Sequence, residues 1–464
     1  MYTIQFGTDG WRAIIAREFT VDNVKRVSEA VAKWLLQQKR DPSIVIGRDC
    51  RFAGKLFLEE ASKVFVAAGV RVYYADNFVS TPMVSLGTLH YKADLGVVIT
   101  ASHNPPAYNG YKLKGSFGGP LLPEKISEVE NLIAETIPDT DTIELEGNEL
   151  YRNVDLHGLY IERVKKNFDM PAILASPFRF GYDAMYGAGQ SVIPELFPDI
   201  ELLHCEYNPG FNGIAPEPIL RNLQEFSEFI KISEMVDCGL ATDGDADRIG
   251  LFDSKGNFVD SHHIILLLIH YLVKYKKMSG KVVTAFSVTE KVKKLCAHYG
   301  LEQLTTKIGF KYITGYILHD DVLLGGEESG GIAIKGHIPE RDGIWMGLVL
   351  WEFMAKSGKS LEDLIQEVYE IVGPFAYDRN DLHLTEEKKQ RIVARCKAGI
   401  DAFGPHKVLR TEDLDGFKYH FENDEWILIR ASGTEPVLRI YAESAAPETM
   451  RRLLETVTDE VLGY

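Results

Sequence analysis

The sequence predicts three α/β units followed by a smaller, mostly antiparallel α+β unit. Three observations carry that reading. Strand-like and helix-like apolar patterns alternate through the first 150 residues, the alternation restarts near residues 170 and 280, and the last 95 residues change to spaced strands. At roughly 150 residues per domain, 464 residues suit three domains, with two or four also admissible. No Ser/Gly linker or low-complexity tract separates the units, and the boundaries are placed at 1–150, 151–255, 256–370 and 371–464.

In the first unit Val24, Val27, Val31, Trp34 and Leu35 recur at helical spacing behind Thr20, a natural N-cap. A short β-run follows at Ser43–Ile46, then an amphipathic stretch carrying Leu56, Phe57, Val64 and Phe65, then a β-run at Val70–Tyr74. A helix is expected after Pro82, and Leu95–Thr100 reads as a nearly continuous apolar strand. Strands separated by helices predict a parallel, buried sheet whose C-terminal loops carry ligands. The second unit is expected to open with a strand at Ile173–Ala175, a Gly-rich turn at Gly187–Gly189, and strands at Leu202–Cys205 and Cys238–Ala241. The third brings strand Val282–Ala285, helix Val288–Tyr299 and strand Val322–Leu324. A helix at Leu361–Ile371 and Gly373-Pro374 lead into the last unit, with strands such as Trp426–Ile429 and Val437–Ala442.

Composition narrows the function. Lys+Arg 51 against Asp+Glu 67 leaves a net charge of −16, which argues against a general nucleic-acid binder or a binder of anionic membranes. A few arginines in one place would still suit an anionic small molecule. The five cysteines stand singly with no Cys-x-x-Cys pair, so a zinc ribbon or redox dithiol is not expected and a reducing compartment fits. The apolar run Ile264–Ile269 is too short to span a bilayer and reads as a buried helix. His262 and His263 ahead of it read as capping or packing residues. With no secretory signal visible in MYTIQFGTDGW, a cytosolic protein is expected.

Four loops carry chemistry. Thr100-Ala101-Ser102-His103-Asn104-Pro105 follows a buried strand, where a serine on an exposed turn suits a nucleophile or phosphoryl carrier, although alone it also fits an ordinary turn. No Gly-x-Ser-x-Gly elbow surrounds Ser102, so an esterase triad is not supported. In Asp243-Gly244-Asp245-Ala246-Asp247-Arg248, extended backbone would turn three carboxylates to one side, and like charges so close call for a cation such as Mg²⁺ or Ca²⁺. An EF-hand fails there on Arg248, on Ser254 and on the flanking strands, and a haloacid-dehalogenase signature fails on Ala246. Mg²⁺ completes its shell with phosphate oxygens, which points to a phosphorylated partner.

Gly325-Gly326-Glu327-Glu328-Ser329-Gly330-Gly331 alternates polar and small residues in a way that suits sugar hydroxyls. Arg430-Ala431-Ser432-Gly433-Thr434-Glu435-Pro436, with Arg439 nearby, combines a guanidinium, hydroxyls and Gly-permitted N–H groups as an anion nest would. Gly7-Thr8-Asp9-Gly10-Trp11-Arg12 adds one more arginine on a Gly-rich turn.

Taken in register, GTDGWR, TASHNPPAYNGYK, DGDADR, GEESGG and RASGTEP resemble the successive signatures of the α-D-phosphohexomutase family over essentially the whole chain. The resemblance implies three related α/β domains, with mixed, mostly parallel sheets, and a C-terminal α+β domain around a central cleft. It implies that Ser102 carries the phosphoryl group and that Asp243, Asp245 and Asp247 bind Mg²⁺ together with the serine phosphate. It further implies that Glu327 and Ser329 hold sugar hydroxyls, and that Arg430, Ser432, Gly433, Thr434 and Arg439 hold the phosphate that is not reacting. Arg12, Lys112 and Arg248 match positions at the reacting end. Lys112 and His103 both stand as candidates for the general base.

The implied reaction interconverts hexose 1-phosphate and hexose 6-phosphate through a phosphoserine and a hexose 1,6-bisphosphate, which also serves as activator. Gly331, where mannose-accepting relatives often carry His, and the Gly309-Phe310-Lys311 turn favour glucose. Glu328, where phosphoglucosamine mutases usually carry Gln, points the same way. Phosphomannomutase, a dual phosphomannomutase/phosphoglucomutase, phosphoglucosamine mutase and phosphopentomutase remain alternatives. A phosphatase and an inactive sugar-phosphate sensor are the readings from other classes. The expected partners are small sugar phosphates, with no nucleic acid or membrane, and the chain is expected to be a monomer or homodimer.

Overall fold

The computed structural model of the chain describes residues 2–431 and 437–463. It divides into two compact units, Met1–Val283 with Gly309–Ile365, and Thr284–Ile308 with Gln366–Tyr464.

In the first unit the expected helix forms at Val21–Gln38, where the N-cap Thr20 accepts a hydrogen bond from the Asn23 N–H and the apolar stripe is buried. A six-stranded sheet runs in the order Trp11–Ile14, Tyr108–Gly115, Leu95–Ile99, Ser43–Arg48, Arg71–Tyr74, Tyr151–Asn153. The last four of these are parallel, as the strand–helix alternation requires. Tyr108–Gly115 and Trp11–Ile14 add two antiparallel strands that the apolar pattern does not reveal. Tyr108–Gly115 carries glycines and two lysines where a buried strand would ordinarily carry Val or Ile, yet Lys112 and Lys114 are fully buried.

A second sheet has the order Phe258–Val259, Ile249–Asp253, Cys238–Thr242, Phe180–Asp183, Glu201–Leu203, parallel at its second end and antiparallel at its first. The strand expected at Ile173–Ala175 is instead the end of a short helix, Met170–Leu174. Asp169 caps it by accepting the Ala172 N–H, and Pro171 stands in its first turn, so local start signals override a brief β-like run. The strand itself comes later, at Phe180–Asp183. Strands Val322–Gly326 and Ile332–Ile334 pair antiparallel, and helices Ser261–His270 and Gly343–Ser357 pack beside them. Ser261–His270 is the buried helix expected from its apolar run, capped by Asp260. Among the described residues no helix is long and apolar enough to cross a membrane.

The second unit is built on a five-stranded sheet, antiparallel throughout, in the order Ala376–His383, Val437–Ser444, Trp426–Ala431, Phe417–His420, Arg410–Glu412. Helices Glu386–Lys397 and Pro447–Leu462 bury Ile392, Leu453, Leu454 and Val457 against Leu438 and Ile440 of the sheet. This is the α+β unit expected from the spaced strands of the last 95 residues.

Candidate active site

Strand Leu95–Ile99 delivers Ser102 into the first unit's interior, and strand Cys238–Thr242 ends directly at Asp243. Ser102 is fully buried rather than exposed on its turn, and its backbone is left-handed, with φ +52°. That conformation costs a non-glycine residue about 1–2 kcal/mol, so the surroundings must impose it. The Ser102 hydroxyl donates to Asp243 Oδ2 at 2.7 Å and lies 3.4 Å from His103 Nδ1. The two loops meet closely because residue 244 is glycine: a Cβ there would lie 2.5 Å from the Ser102 carbonyl oxygen.

Asp243, Asp245 and Asp247 converge as expected, with ligand atoms within 4.8 Å of one another. The backbone reason differs from the extended loop expected. The segment is a turn with Ala246 left-handed at φ +57°, and Asp243 Oδ1 ties it by accepting the N–H groups of Asp247 and Arg248 at 2.9 and 3.1 Å. Asp245 Oδ2 accepts from the Thr81 hydroxyl at 2.5 Å and from Lys112 Nζ at 2.7 Å. Asp247 Oδ2 faces Lys112 at 2.9 Å and Arg341 at 2.7 Å.

That leaves Asp245 Oδ1 and Asp247 Oδ1 buried without a hydrogen-bond partner among the described residues. Burial, reinforced by Asp245 and Asp247, pushes the Asp243 carboxyl well above the usual carboxylate range. Burial also opposes ionisation of Asp245, but Lys112 and Thr81 outweigh it and hold that carboxyl low. Three convergent oxygens with no nitrogen or sulfur donor suit a hard divalent cation, which would satisfy both orphaned atoms.

Cations surround the carboxylates. Lys112 Nζ lies 2.7 Å from Asp9, 2.7 Å from Asp245 and 2.9 Å from Asp247. Burial disfavours its charge, yet the three carboxylates prevail and raise its pKa, so it stays protonated. Arg12 donates to Asn104 Oδ1 at 2.8 Å and to the Asp9 carbonyl at 3.4 Å. Arg248 bridges backbone to backbone with Gly331 and lies 3.7 Å from Glu217. Burial, then Arg248, Arg12, Lys112 and Arg51, push His103 well below the usual histidine range, so its ring is neutral.

Glu327 directly follows strand Val322–Gly326 and is buried. Its Oε1 accepts the Gly309 N–H at 2.8 Å. Burial raises its pKa against Arg341 and Arg248. Ser329 lies half-buried in the turn that follows. Lys311 lines a cavity of about 120 Å³ with Asp9, Gly10 and Glu130. In the second unit, Arg430 and Arg439 face each other across paired strands, Arg430 Nε 3.2 Å from Asp415 and Arg439 Nε 3.5 Å from Asp381. Ser432, Gly433 and Thr434 lie outside the described residues.

Sequence reasoning missed the residue that ties these loops together. Arg341 is buried, bonds to Asp9 and Asp247, and holds its guanidinium 5.4 Å from the Phe310 ring centre. Its neighbour Glu340 pairs with Lys114 at 2.7 Å and accepts from Ser85. The available signal was Glu340-Arg341-Asp342, a charged triplet immediately ahead of the apolar helix Gly343–Ser357.

Arg341 also explains Gly331. A Cβ at position 331 would lie 2.4 Å from Arg341 Cδ and 3.1 Å from its Cγ. Gly331→His is therefore expected to displace Arg341 and to cost about 1–3 kcal/mol by overpacking. Thermal melting of Gly331→His beside Gly331→His/Arg341→Ala checks this. Because Arg341→Ala by itself strips a buried cation from Asp9 and Asp247, the histidine should cost less melting temperature when added to Arg341→Ala than when added to wild type, and an unchanged melting temperature in the single variant would contradict the packing.

Comparison with known proteins places this geometry in context. Four models of phosphoglucomutase/phosphomannomutase domains match: alpha/beta/alpha domain I at residues 3–139, domain II at 159–256, domain III at 260–372 and the C-terminal domain at 383–460. The chain is 31% identical over 457 residues to a phosphoglucomutase/phosphomannomutase of Thermococcus kodakarensis, covering 97% of this chain and 96% of the relative. It is 30% identical over 472 residues to a phosphoglucosamine mutase of Carboxydothermus hydrogenoformans, covering 99% and 98%. A solved structure from Thermus thermophilus, provisionally named a phosphomannomutase, superposes with a TM-score of 0.88 at 33% identity, covering 99% of each chain.

Proposed function

Because the chain belongs to the phosphoglucomutase/phosphomannomutase family, we propose that it interconverts hexose 1-phosphate and hexose 6-phosphate, preferring glucose, through a phosphoserine at Ser102 and a hexose 1,6-bisphosphate. The observation that carries this reading is the Ser102 hydroxyl held 2.7 Å from Asp243, at the edge of three buried carboxylates with oxygens to spare.

Asp243, Asp245 and Asp247 would hold Mg²⁺, which when bound neutralises charge on the phosphoryl group in transfer. Lys112, kept charged by three carboxylates, serves as a fixed cation rather than a base. Neutral His103, 3.4 Å from Ser102 Oγ, is the better placed proton acceptor. Arg12 and Arg248 supply the remaining positive charge at the reacting end, and Glu327 and Ser329 take sugar hydroxyls, with Gly309 and Lys311 on the neighbouring turn. Arg430 and Arg439, with Ser432, Gly433 and Thr434, take the phosphate that is not reacting. A bisphosphate that escapes must return to rephosphorylate Ser102, which makes it the activator. Five free cysteines support a cytoplasmic location.

Glucose and mannose differ only in the orientation of the 2-hydroxyl, so the wrong sugar loses about one neutral hydrogen bond, roughly 0.5–1.5 kcal/mol. The expected preference for glucose 1-phosphate is about threefold to tenfold in kcat/KM. A coupled assay across glucose, mannose, glucosamine and ribose 1-phosphates measures it. The relative from C. hydrogenoformans gives phosphoglucosamine mutase as the second reading, which a glucosamine preference in that assay would establish instead.

A further inference from the structure

We propose that Arg51 is the positioning residue that holds Ser102 in its transfer geometry and so directs the phosphoryl group to sugar rather than to water. The inference rests on Ser102 as phosphoryl carrier.

Arg51 is 1% exposed, and among the described residues its side-chain hydrogen bonds go to backbone carbonyls and its ion pair to Asp49, not to the three aspartates or the Ser102 hydroxyl. Its terminal nitrogens spend themselves on the main chain of the serine loop. Nη2 donates to the carbonyls of Ser102 and Asn104 at 2.7 and 2.6 Å, and Nη1 donates to those of Pro105 and Tyr108 at 2.9 and 3.0 Å. Four carbonyl oxygens spaced over seven residues therefore converge on one guanidinium, which rests 4.9 Å from the Phe211 ring centre. Four carbonyl dipoles aimed at one buried spot are costly unless donors satisfy them, and the charged guanidinium supplies those donors.

The same arginine is anchored from behind. Asp49 accepts the Arg51 N–H at 2.9 Å and lies 3.3 Å from Arg51 Nε. Asp49 also accepts the Thr100 hydroxyl at 2.5 Å, and the Thr100 oxygen in turn accepts the Ser102 N–H at 2.9 Å. Ser102 is thus gripped on both sides of its left-handed Cα, by its carbonyl through Arg51 and by its N–H through Thr100 and Asp49. Strands Ser43–Arg48 and Leu95–Ile99 run parallel and adjacent in the middle of the sheet, which brings both halves of this clamp together beyond their C-terminal ends.

A lysine keeps the charge but has three N–H donors and no planar fork, so it cannot serve four carbonyls at these positions. With the fork gone, Ser102 is free to relax toward an ordinary φ and its oxygen to swing away from Asp243. A displacement on the order of 1 Å costs about a hundredfold in a positioned reaction. A phosphoryl group so displaced is open to hydrolysis: water attacks phosphorus, the P–Oγ bond breaks, orthophosphate leaves, and the proton from water restores the Ser102 hydroxyl.

The test compares wild type, Arg51→Lys and Arg51→Met with glucose 1,6-bisphosphate and Mg²⁺, following phosphoryl uptake by intact mass. Steady-state kcat and KM for glucose 1-phosphate, and orthophosphate released per sugar phosphate converted, are measured on the same proteins. Folded Arg51→Lys is expected to keep KM within about threefold, to lose roughly tenfold to a hundredfold in kcat and in uptake rate, and to release at least about fivefold more orthophosphate per turnover. Arg51→Met, where folded, should do worse. A folded Arg51→Lys with kcat and orthophosphate release within twofold of wild type overturns the inference alone, as does a change confined to KM. Failure of both variants to fold makes the residue structural and overturns it too. A wild type that takes up no phosphoryl group overturns the reading of Ser102 itself.

Discussion

Replacing Ser102 by alanine is expected to abolish phosphoryl uptake and reduce mutase activity to background. In the proposed reaction the hydroxyl is the atom from which the phosphoryl group is passed on and to which it returns, and the neighbouring threonine hydroxyls cannot take its place. Thr81 donates to Asp245 and Thr100 to Asp49, so both are already engaged. Deleting one oxygen from a buried turn held mainly through its backbone should leave the fold intact. Intact-mass measurement after incubation with glucose 1,6-bisphosphate should show one added phosphoryl group on wild type and none on Ser102→Ala. An unchanged label on the variant would assign the carrier elsewhere.

The second large effect is expected at Asp243. Asparagine preserves its shape and its acceptor for the Asp247 and Arg248 N–H groups, yet removes the charge that a divalent cation needs. Activity should fall by at least about a hundredfold, with excess Mg²⁺ restoring only part of it, and chelation of metal from the wild type should do the same. The environment adds a pH signature. Burial and two neighbouring carboxylates raise the Asp243 pKa, so without metal the group holds a proton to higher pH than an ordinary aspartate. Mg²⁺ must displace that proton, so its affinity should rise with pH through the Asp243 titration and level off above it. Calorimetric titration with Mg²⁺ in two buffers of different ionisation enthalpy should detect proton release on binding. Affinity that falls with rising pH would contradict the coupling.

The sequence made the candidate site residues legible because each stands where a buried strand ends, and strands declare themselves by apolar runs. Leu95–Ile99 leads to Ser102, Cys238–Thr242 to Asp243 and Val322–Gly326 to Glu327. What stayed hidden is what depends on distant pairing. Lys112 and Lys114 are buried in a strand because Asp9, Asp245, Asp247 and Glu340 neutralise them, and nothing local announces those partners. Arg341 finds Asp9 from 332 residues away, and Arg51 meets the serine loop across 51 to 57 residues. The short helix Met170–Leu174 shows the opposite failure: a capping Asp169 and Pro171 outweighed the apolar Ile173–Ala175 that suggested a strand.

Phosphorus NMR of glucose 1-phosphate incubated with the enzyme, Mg²⁺ and a trace of glucose 1,6-bisphosphate tests the whole account most directly. The 1-phosphate resonance is expected to be replaced by that of glucose 6-phosphate, with negligible orthophosphate. Orthophosphate as the main product would mark a phosphatase, and an unchanged spectrum would mark a protein that binds sugar phosphates without transferring them; either result would contradict it.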